Sequence, residues 1–125
     1  MRNIYIRIDC DNVGDKIEFA LYNNDPKAAQ EISDLIKINI KWLIEKINQI
    51  SMGKILLVGS DDILFETNEE FFKLEKLENL KQEFYINTNI TLSIGIGFSI
   101  IDALTNLKIA KISGKNKIIL NRHYS

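Results

Sequence analysis

Near the N-terminus Ile4, Ile6, Ile8 and Cys10 alternate with Tyr5, Arg7, Asp9 and Asp11. A period of two predicts a strand over Asn3 to Asp9, with one core face and one polar face. After Gly14, the residues Ile17, Ala20 and Leu21 fall at helical spacing, so a short helix is expected over Asp15 to Tyr22. Asp25-Pro26 combines a capping side chain with a proline in the first helical turn. From there Ile32, Ile36, Ile40, Leu43, Ile47 and Ile50 recur every three or four residues. That spacing predicts a long amphipathic helix to about Ser51, ended by Met52-Gly53. Lys54 to Val58 is a short, nearly continuous apolar run and reads as a central strand. Gly59-Ser60-Asp61-Asp62 reads as a tight turn, with Ile63 to Glu66 the returning strand of a hairpin.

Farther on, Glu69 to about Tyr85 is predicted as a charged third helix and Ile90 to Gly97 as a strand. Ser99 to Ser113 is predicted as a helix stopped by Gly114, and Lys117 to Leu120 as a last strand. The order β-α-α-β-β-α-β-α-β implies an α+β sandwich, a mainly antiparallel sheet with helices on one face. The palm, or ferredoxin-like, arrangement is its commonest form. On such a sheet the first strand and the central hairpin lie side by side, which brings Asp9 toward Asp61 and Asp62.

Composition narrows the setting. The chain has 125 residues, 46% hydrophobic and 26% charged, the balance of one ordinary globular domain over residues 1–125. A net charge of −1 provides no global basic field, so neither stable nucleic-acid binding nor a membrane partner is expected. The single cysteine, Cys10, excludes an internal disulfide and a zinc cluster and fits a reducing, cytoplasmic compartment. The N-terminal segment has no signal-peptide hydrophobic region. The longest apolar stretch, Ile90 to Ile101, is broken by glycine and serine and too short to span a bilayer.

Three carboxylates meeting at one end of a sheet repel one another unless a cation sits between them. Their oxygens suit Mg²⁺ or Mn²⁺, and two such ions can activate a hydroxyl and neutralise a leaving pyrophosphate. The plainer alternative is that Asp61-Asp62 is a polar turn and Asp9 a solvated strand end. Asp11-Asn12-Val13-Gly14 leads from strand into helix, so its backbone N–H groups can cradle phosphates; otherwise it is an ordinary connecting turn. Lys108, Lys111 and Lys115 offer a second phosphate site, or else cations that relieve the helix dipole. Gly95-x-Gly97 is better read as a strand where backbones approach closely than as a dinucleotide loop, because Ile100 stands at the third glycine position. His123 is read as solvated, and Trp42 and the Phe71-Phe72 pair as core or interface aromatics.

Taken together these segments carry a resemblance. Asp9-Cys10-Asp11-Asn12-Val13-Gly14 resembles the first metal motif of CRISPR-type polymerase–cyclase palms, Asp-x-Asp-Asn-x-Gly. Gly59-Ser60-Asp61-Asp62 resembles their Gly-Gly-Asp-Asp and the related GGDEF signature. Ser93-Ile94-Gly95-Ile96-Gly97 resembles the strand that follows, and Ala110-Lys111-Ile112-Ser113-Gly114-Lys115-Asn116 the Ala-Lys-x-x-Gly-Arg-Asn end of GGDEF domains. The short form is similar to the minimal CRISPR polymerases (mCpol) of anti-phage Panoptes systems, which make cyclic dinucleotides that act on a separate effector.

The resemblance implies a two-metal site with Asp9, Asp61, Asp62 and the backbone carbonyl of Cys10 as ligands. One of Asp61 and Asp62 would also help deprotonate the attacking ribose hydroxyl. Asp11, Asn12, Val13 and Gly14, with Gly59 and Ser60, would border the nucleotide, and Lys108, Lys111 and Lys115 its outer phosphates. Lys115 stands where many relatives have arginine, and Ser60 where they have glycine.

Diguanylate cyclases read guanine with an asparagine eight residues beyond the first aspartate; here that position is Ile17, which cannot supply those hydrogen bonds. ATP is therefore the expected NTP. No arginine precedes Gly59 at the spacing of their product-inhibition site. Two reciprocal phosphodiester bonds imply a homodimer. The polar face of the first strand, with Tyr5 and Arg7, would look onto the cleft or the second subunit. Arg7 would bridge to the partner's nucleotide or be solvated. The competing readings are a synthase of linear or cyclic oligoadenylates, an idle palm that senses nucleotide, and an RNA-binding ferredoxin-like module.

Overall fold

The computed structural model describes residues 2–120; His123 lies outside them. In chain order the elements are β1 (Asn3–Cys10), α1 (Val13–Tyr22), α2 (Pro26–Ser51), β2 (Lys54–Val58), β3 (Asp62–Asn68), α3 (Leu74–Thr88), β4 (Leu92–Gly97), α4 (Ile100–Ile112) and β5 (Ile118–Ile119). The expected α+β class and order of elements are both present. One five-stranded sheet runs β2-β3-β1-β4-β5, antiparallel throughout except for the β4–β5 pair.

The isoleucine alternation of β1 does what its period requires. Ile4, Ile6 and Ile8 are fully buried and join Ile36, Ile40, Leu43 and Ile47 of α2 and Leu77, Leu80 and Phe84 of α3 in one core. Trp42 packs against that core, its ring 6.4 Å from that of Phe84, so it is a core aromatic. The long helix starts as its sequence indicated: the Asp25 carboxylate accepts from the Ala28 N–H at 3.0 Å, with Pro26 in the first turn.

The opposite face of β1 carries a feature that its polarity did not show. Paired residues of an antiparallel ladder share a face. Gly95 pairs with Arg7 and Gly97 with Tyr5, so both glycines open onto the polar side. There α4 lies directly on the β4 backbone. A Cβ at Gly95 would sit 2.2 Å from the Ala103 carbonyl oxygen and 2.2 Å from the Leu107 nitrogen. The close approach foreseen at these glycines is thus helix on strand, and it adds a helix to the second sheet face.

Three differences from expectation stand out. Lys54–Val58 is an edge strand, not a central one, because β3 takes the place beside β1; Leu57 and Val58 are exposed. An unbroken apolar run does not distinguish a strand covered on both faces from one at the rim. The third helix begins at Leu74, five residues late, because the Asn68 side chain accepts from the Glu70 and Phe71 N–H groups and folds the intervening residues into a turn. It ends at Thr88, followed by Asn89 in the left-handed region. The last strand keeps only Ile118–Ile119 of the four residues expected. No helix among the described residues is long and apolar enough to cross a membrane.

The helix-on-strand contact gives a direct expectation. Gly95→Ala forces backbone against backbone and should lower stability by about 1–3 kcal/mol or more. Urea denaturation of the variant would show it, and an unchanged midpoint would mean that α4 does not seat on β4 this closely.

Candidate active site

Strand register assembles the acidic cluster. Asp9 is the last β1 residue paired with β3, and its partner is Asp62. The Cys10 N–H then bonds the Asp61 carbonyl at 2.9 Å, while the Gly59 N–H bonds the Asp62 carbonyl at 2.9 Å and closes the turn. Asp9, Asp61 and Asp62 each offer one carboxylate oxygen, and these oxygens lie within 4.8 Å of one another. All three residues are half-buried. Gly59 has a steric role here: a Cβ on it would stand 1.9 Å from Asp62 Oδ1. Only glycine leaves room for the Asp62 carboxylate in this orientation.

Electrostatics mark the cluster as strained in charge. Burial, then the charges of Asp9 and Asp62, push the Asp61 carboxyl above its ordinary value. Oxygen donors converging in this way fit a hard divalent cation such as Mg²⁺ or Mn²⁺. Burial and then the nearby Asp61, Asp9 and Asp11 charges also push the Cys10 thiol up, and the sulfur lies buried in the core, outside the acidic cluster.

Asp11 is placed differently from the nucleotide contact expected of it. Its side chain is buried and accepts from Thr91 Oγ1 at 2.7 Å, Ser93 Oγ at 2.7 Å, Lys111 Nζ at 2.9 Å and the Asn116 N–H at 3.1 Å. Burial raises its pKa, but the bonds from Lys111, Thr91 and Ser93 outweigh that and hold it below the ordinary value. Asp11 is therefore a hub that ties β1 to β4, α4 and the loop after α4. Ser93 and Asn116 stand in the motifs that carry the resemblance, but no site role was given to them, and Thr91 was not singled out at all. The signal at Thr91 is a polar residue beside an otherwise apolar strand.

Lys111 bridges Asp9 Oδ2 at 2.7 Å and Asp11 Oδ1 at 2.9 Å, and Arg7 Nη2 meets Asp62 Oδ2 at 2.7 Å. Arg7 thus binds within its own chain, which corrects the expectation of a solvated side chain. Among the described residues these are the cations paired with the cluster; Lys108 is exposed one helical turn from Lys111 and is not one of them. Lys115 bonds the Asn12 side chain. Gly114, Lys115 and Asn116 are all left-handed, which curls the loop after α4 back onto the start of α1.

Asn12, also left-handed, is the N-cap of α1 but makes no side-chain cap bond. The first-turn amides at Val13 and Gly14 therefore stand at a helix N-terminus uncapped by a side chain. A Cβ on Gly14 would meet nothing in the protein. A cavity of about 610 Å³ opens here, bounded by Val13, Gly14, Ile17, Ile36, Ile40 and Asp61, with Gly59 and Ser60 on its rim.

A five-stranded palm with carboxylates converging from β1 and the β2–β3 turn defines the polymerase–cyclase class. The Csm1–Csm4 cassette in complex with cA4 has the same fold (TM-score 0.73, 20% identity, 97% of this chain and 21% of that chain). So does the cassette in complex with one ATP (TM-score 0.70, 20% identity, 94% and 20%). The active GGEEF domain of a diguanylate cyclase from Vibrio cholerae matches with TM-score 0.61 at 14% identity, over 98% of this chain and 84% of that one. The chain spans about a fifth of the length of the Csm1–Csm4 chains that it matches. No curated protein matches it significantly. Residues 5–121 match the minimal CRISPR polymerase domain, and the chain belongs to that family, mCpol. Membership in a family of polymerase–cyclase palms supports nucleotide-cyclase-like nucleotidyl transfer.

The charge strain yields a pH-dependent expectation. A carboxyl whose folded pKa lies above its unfolded value loses stability as pH rises through the folded pKa. Asp61→Asn removes that loss. With chelator present the variant should melt a few degrees above wild type at pH 7, under about 1 kcal/mol for a half-buried group that solvent still screens. The difference should vanish below pH 4. Asp62→Asn, which also loses the ion pair with Arg7, should not stabilise. Thermal melts between pH 3.5 and 8 test this, and an Asp61→Asn variant less stable at pH 7 would contradict it.

Proposed function

We propose that the protein is a metal-dependent nucleotidyltransferase that joins two NTPs, ATP by preference, into a cyclic dinucleotide. The observation that carries this reading is the convergence of Asp9, Asp61 and Asp62 beside an uncapped helix N-terminus and the cavity of about 610 Å³. Asp9, Asp61 and Asp62, with the Cys10 backbone carbonyl, would hold Mg²⁺ or Mn²⁺ in a two-metal site, whose chemistry is charge neutralisation at the attacking and leaving oxygens.

The protein's own groups do the rest. The amides at Val13 and Gly14 and the helix N-terminus bind the triphosphate, with Asn12 alongside and Lys111, Lys115 and Lys108 toward its outer phosphates. One carboxylate of the Asp61-Asp62 pair takes the proton of the attacking ribose hydroxyl. A new P–O bond forms at the α-phosphate, the α–β phosphoanhydride bond breaks, and pyrophosphate leaves. A second, reciprocal transfer closes the ring. Because Lys111 is paired with Asp9 and Asp11, its move to phosphate requires that Asp9 take a different cation.

Adenine suits the cavity, where Ile17, Ile36 and Ile40 supply apolar walls and Ile17 offers no donor or acceptor to a guanine edge. The ATP and cA4 held by the Csm1–Csm4 structures support the same preference. A second reading, an oligoadenylate synthase, is favoured by the Csm1–Csm4 structure in complex with pppApApA. In the reading preferred here the 125 residues act as one palm domain in the cytoplasm. The product acts on a separate effector protein in Panoptes-type anti-phage defence.

Incubation with each NTP and Mg²⁺ or Mn²⁺, with products resolved by mass spectrometry, tests the assignment. ATP should give a cyclic dinucleotide and GTP distinctly less, and Asp61→Ala/Asp62→Ala should give none while remaining folded. Near-normal turnover by that double variant would sink the reading, and a ladder of longer adenylates would replace it with the second one.

Ring closure needs two α-phosphates attacked in turn, whereas one acidic cluster lies among the described residues of each chain. A homodimer with its sites face to face meets that need. Excess Asp61→Ala/Asp62→Ala chain mixed with wild type should then depress activity below simple dilution. Specific activity indifferent to both mixing and dilution would exclude the dimer.

A further inference from the structure

We propose that Arg7 is a positioning residue that holds the Asp62 carboxylate in its metal-binding orientation. This rests on reading Asp9, Asp61 and Asp62 as a divalent-cation site. Arg7 precedes Asp9 by two residues on β1, so its side chain leaves the same face of the sheet. Its ladder neighbours are the buried Leu64 on one side and Gly95, roofed by α4, on the other. The stem is thereby enclosed, and only 16% of the side chain is exposed.

From that channel Nη2 donates to Asp62 Oδ2 at 2.7 Å. The Arg7 Nε is buried and has no hydrogen-bond partner. An unsatisfied buried N–H costs free energy, so the guanidinium is not placed to satisfy its own donors. Its placement serves the carboxylate. The second oxygen, Oδ1, lies over Gly59, where no side chain competes for the space. One oxygen of Asp62 is thus fixed by a charged hydrogen bond and the other accommodated by a glycine, before any ion arrives.

Two effects of Arg7 on a metal oppose each other. Its charge repels an incoming cation. Its bond keeps Asp62 facing Asp9 and Asp61, whose charges would otherwise drive that carboxylate outward into solvent. Under this assignment orientation outweighs repulsion, because the cluster crowds three carboxylates at one point. Hydrogen-bonded partners of ligating carboxylates commonly change metal affinity about 10–100-fold.

The test is Mn²⁺ binding by the full chain without nucleotide, followed by electron paramagnetic resonance of the free ion. Arg7→Met should bind about 10-fold or more weakly. Arg7→Lys, which keeps the charge and a donor, should recover most of the affinity. Arg7→Gln provides the neutral arm should the Met variant fail to fold, and circular dichroism in chelator reports folding in each case. Activity of the neutral variants should recover at high Mn²⁺, which a structural defect would not allow. Wild-type affinity in a folded neutral variant, or tighter binding, overturns the proposal. So does a Lys variant as weak as the neutral ones. A wild-type chain that binds no Mn²⁺ overturns the metal reading itself, a different result from loss confined to Arg7 variants.

Discussion

Repulsion among carboxylates is the constraint around which this molecule is arranged. Strand pairing sets Asp9 against Asp62 and the adjoining turn adds Asp61, so three acidic oxygens gather within 4.8 Å. At such distances the cost is several kcal/mol unless cations intervene. The chain answers with Lys111 on Asp9 and Arg7 on Asp62, and leaves Asp61 with no direct ion pair among the described residues, only the charge of Lys111 acting on it from farther off. The compensation is partial. A site fully neutralised by its own side chains would have no use for a divalent ion, and one without any would drive its ligands apart.

The scaffold follows from the need to deliver those cations. Lys111 reaches the cluster only because α4 lies flat on β4, and α4 lies flat because positions 95 and 97 are glycine. The same helix passes the chain into a left-handed loop whose Asn116 N–H bonds Asp11. Asp11 then links β1, the start of β4, α4 and that loop through one carboxylate. Its bonds to two hydroxyls, an amine and an amide satisfy a buried charge that would otherwise be prohibitive.

Much of this was legible along the chain. The isoleucine period of β1, the Asp25-Pro26 start of α2 and the order of elements follow from local rules, and the cluster follows from pairing β1 with a hairpin. The edge position of Lys54–Val58 was not legible, because apolar content does not tell which neighbour a strand acquires. The Asn68 turn that delays α3 depends on one side chain folding back on its backbone. Asp11 was placed with the nucleotide because its spacing matched a motif, and spacing does not report burial. Arg7 was read as facing the cleft or a second subunit, but its Asp62 partner lies 55 positions away and is visible only once the register is known.

The hub at Asp11 also bears on how the chain is made. Its partners lie 80 to 105 residues downstream, so the contacts that complete the site are among the most distant in the protein. Closing such long loops is slow, and topology of this kind delays folding. During synthesis the paired aspartates emerge well before Lys111 and Asn116. The nascent chain therefore carries the clustered carboxylates without the lysine and the loop that organise them. The acidic cluster is completed late, with α4, and a shorter nascent fragment holds its carboxylates but not their arrangement.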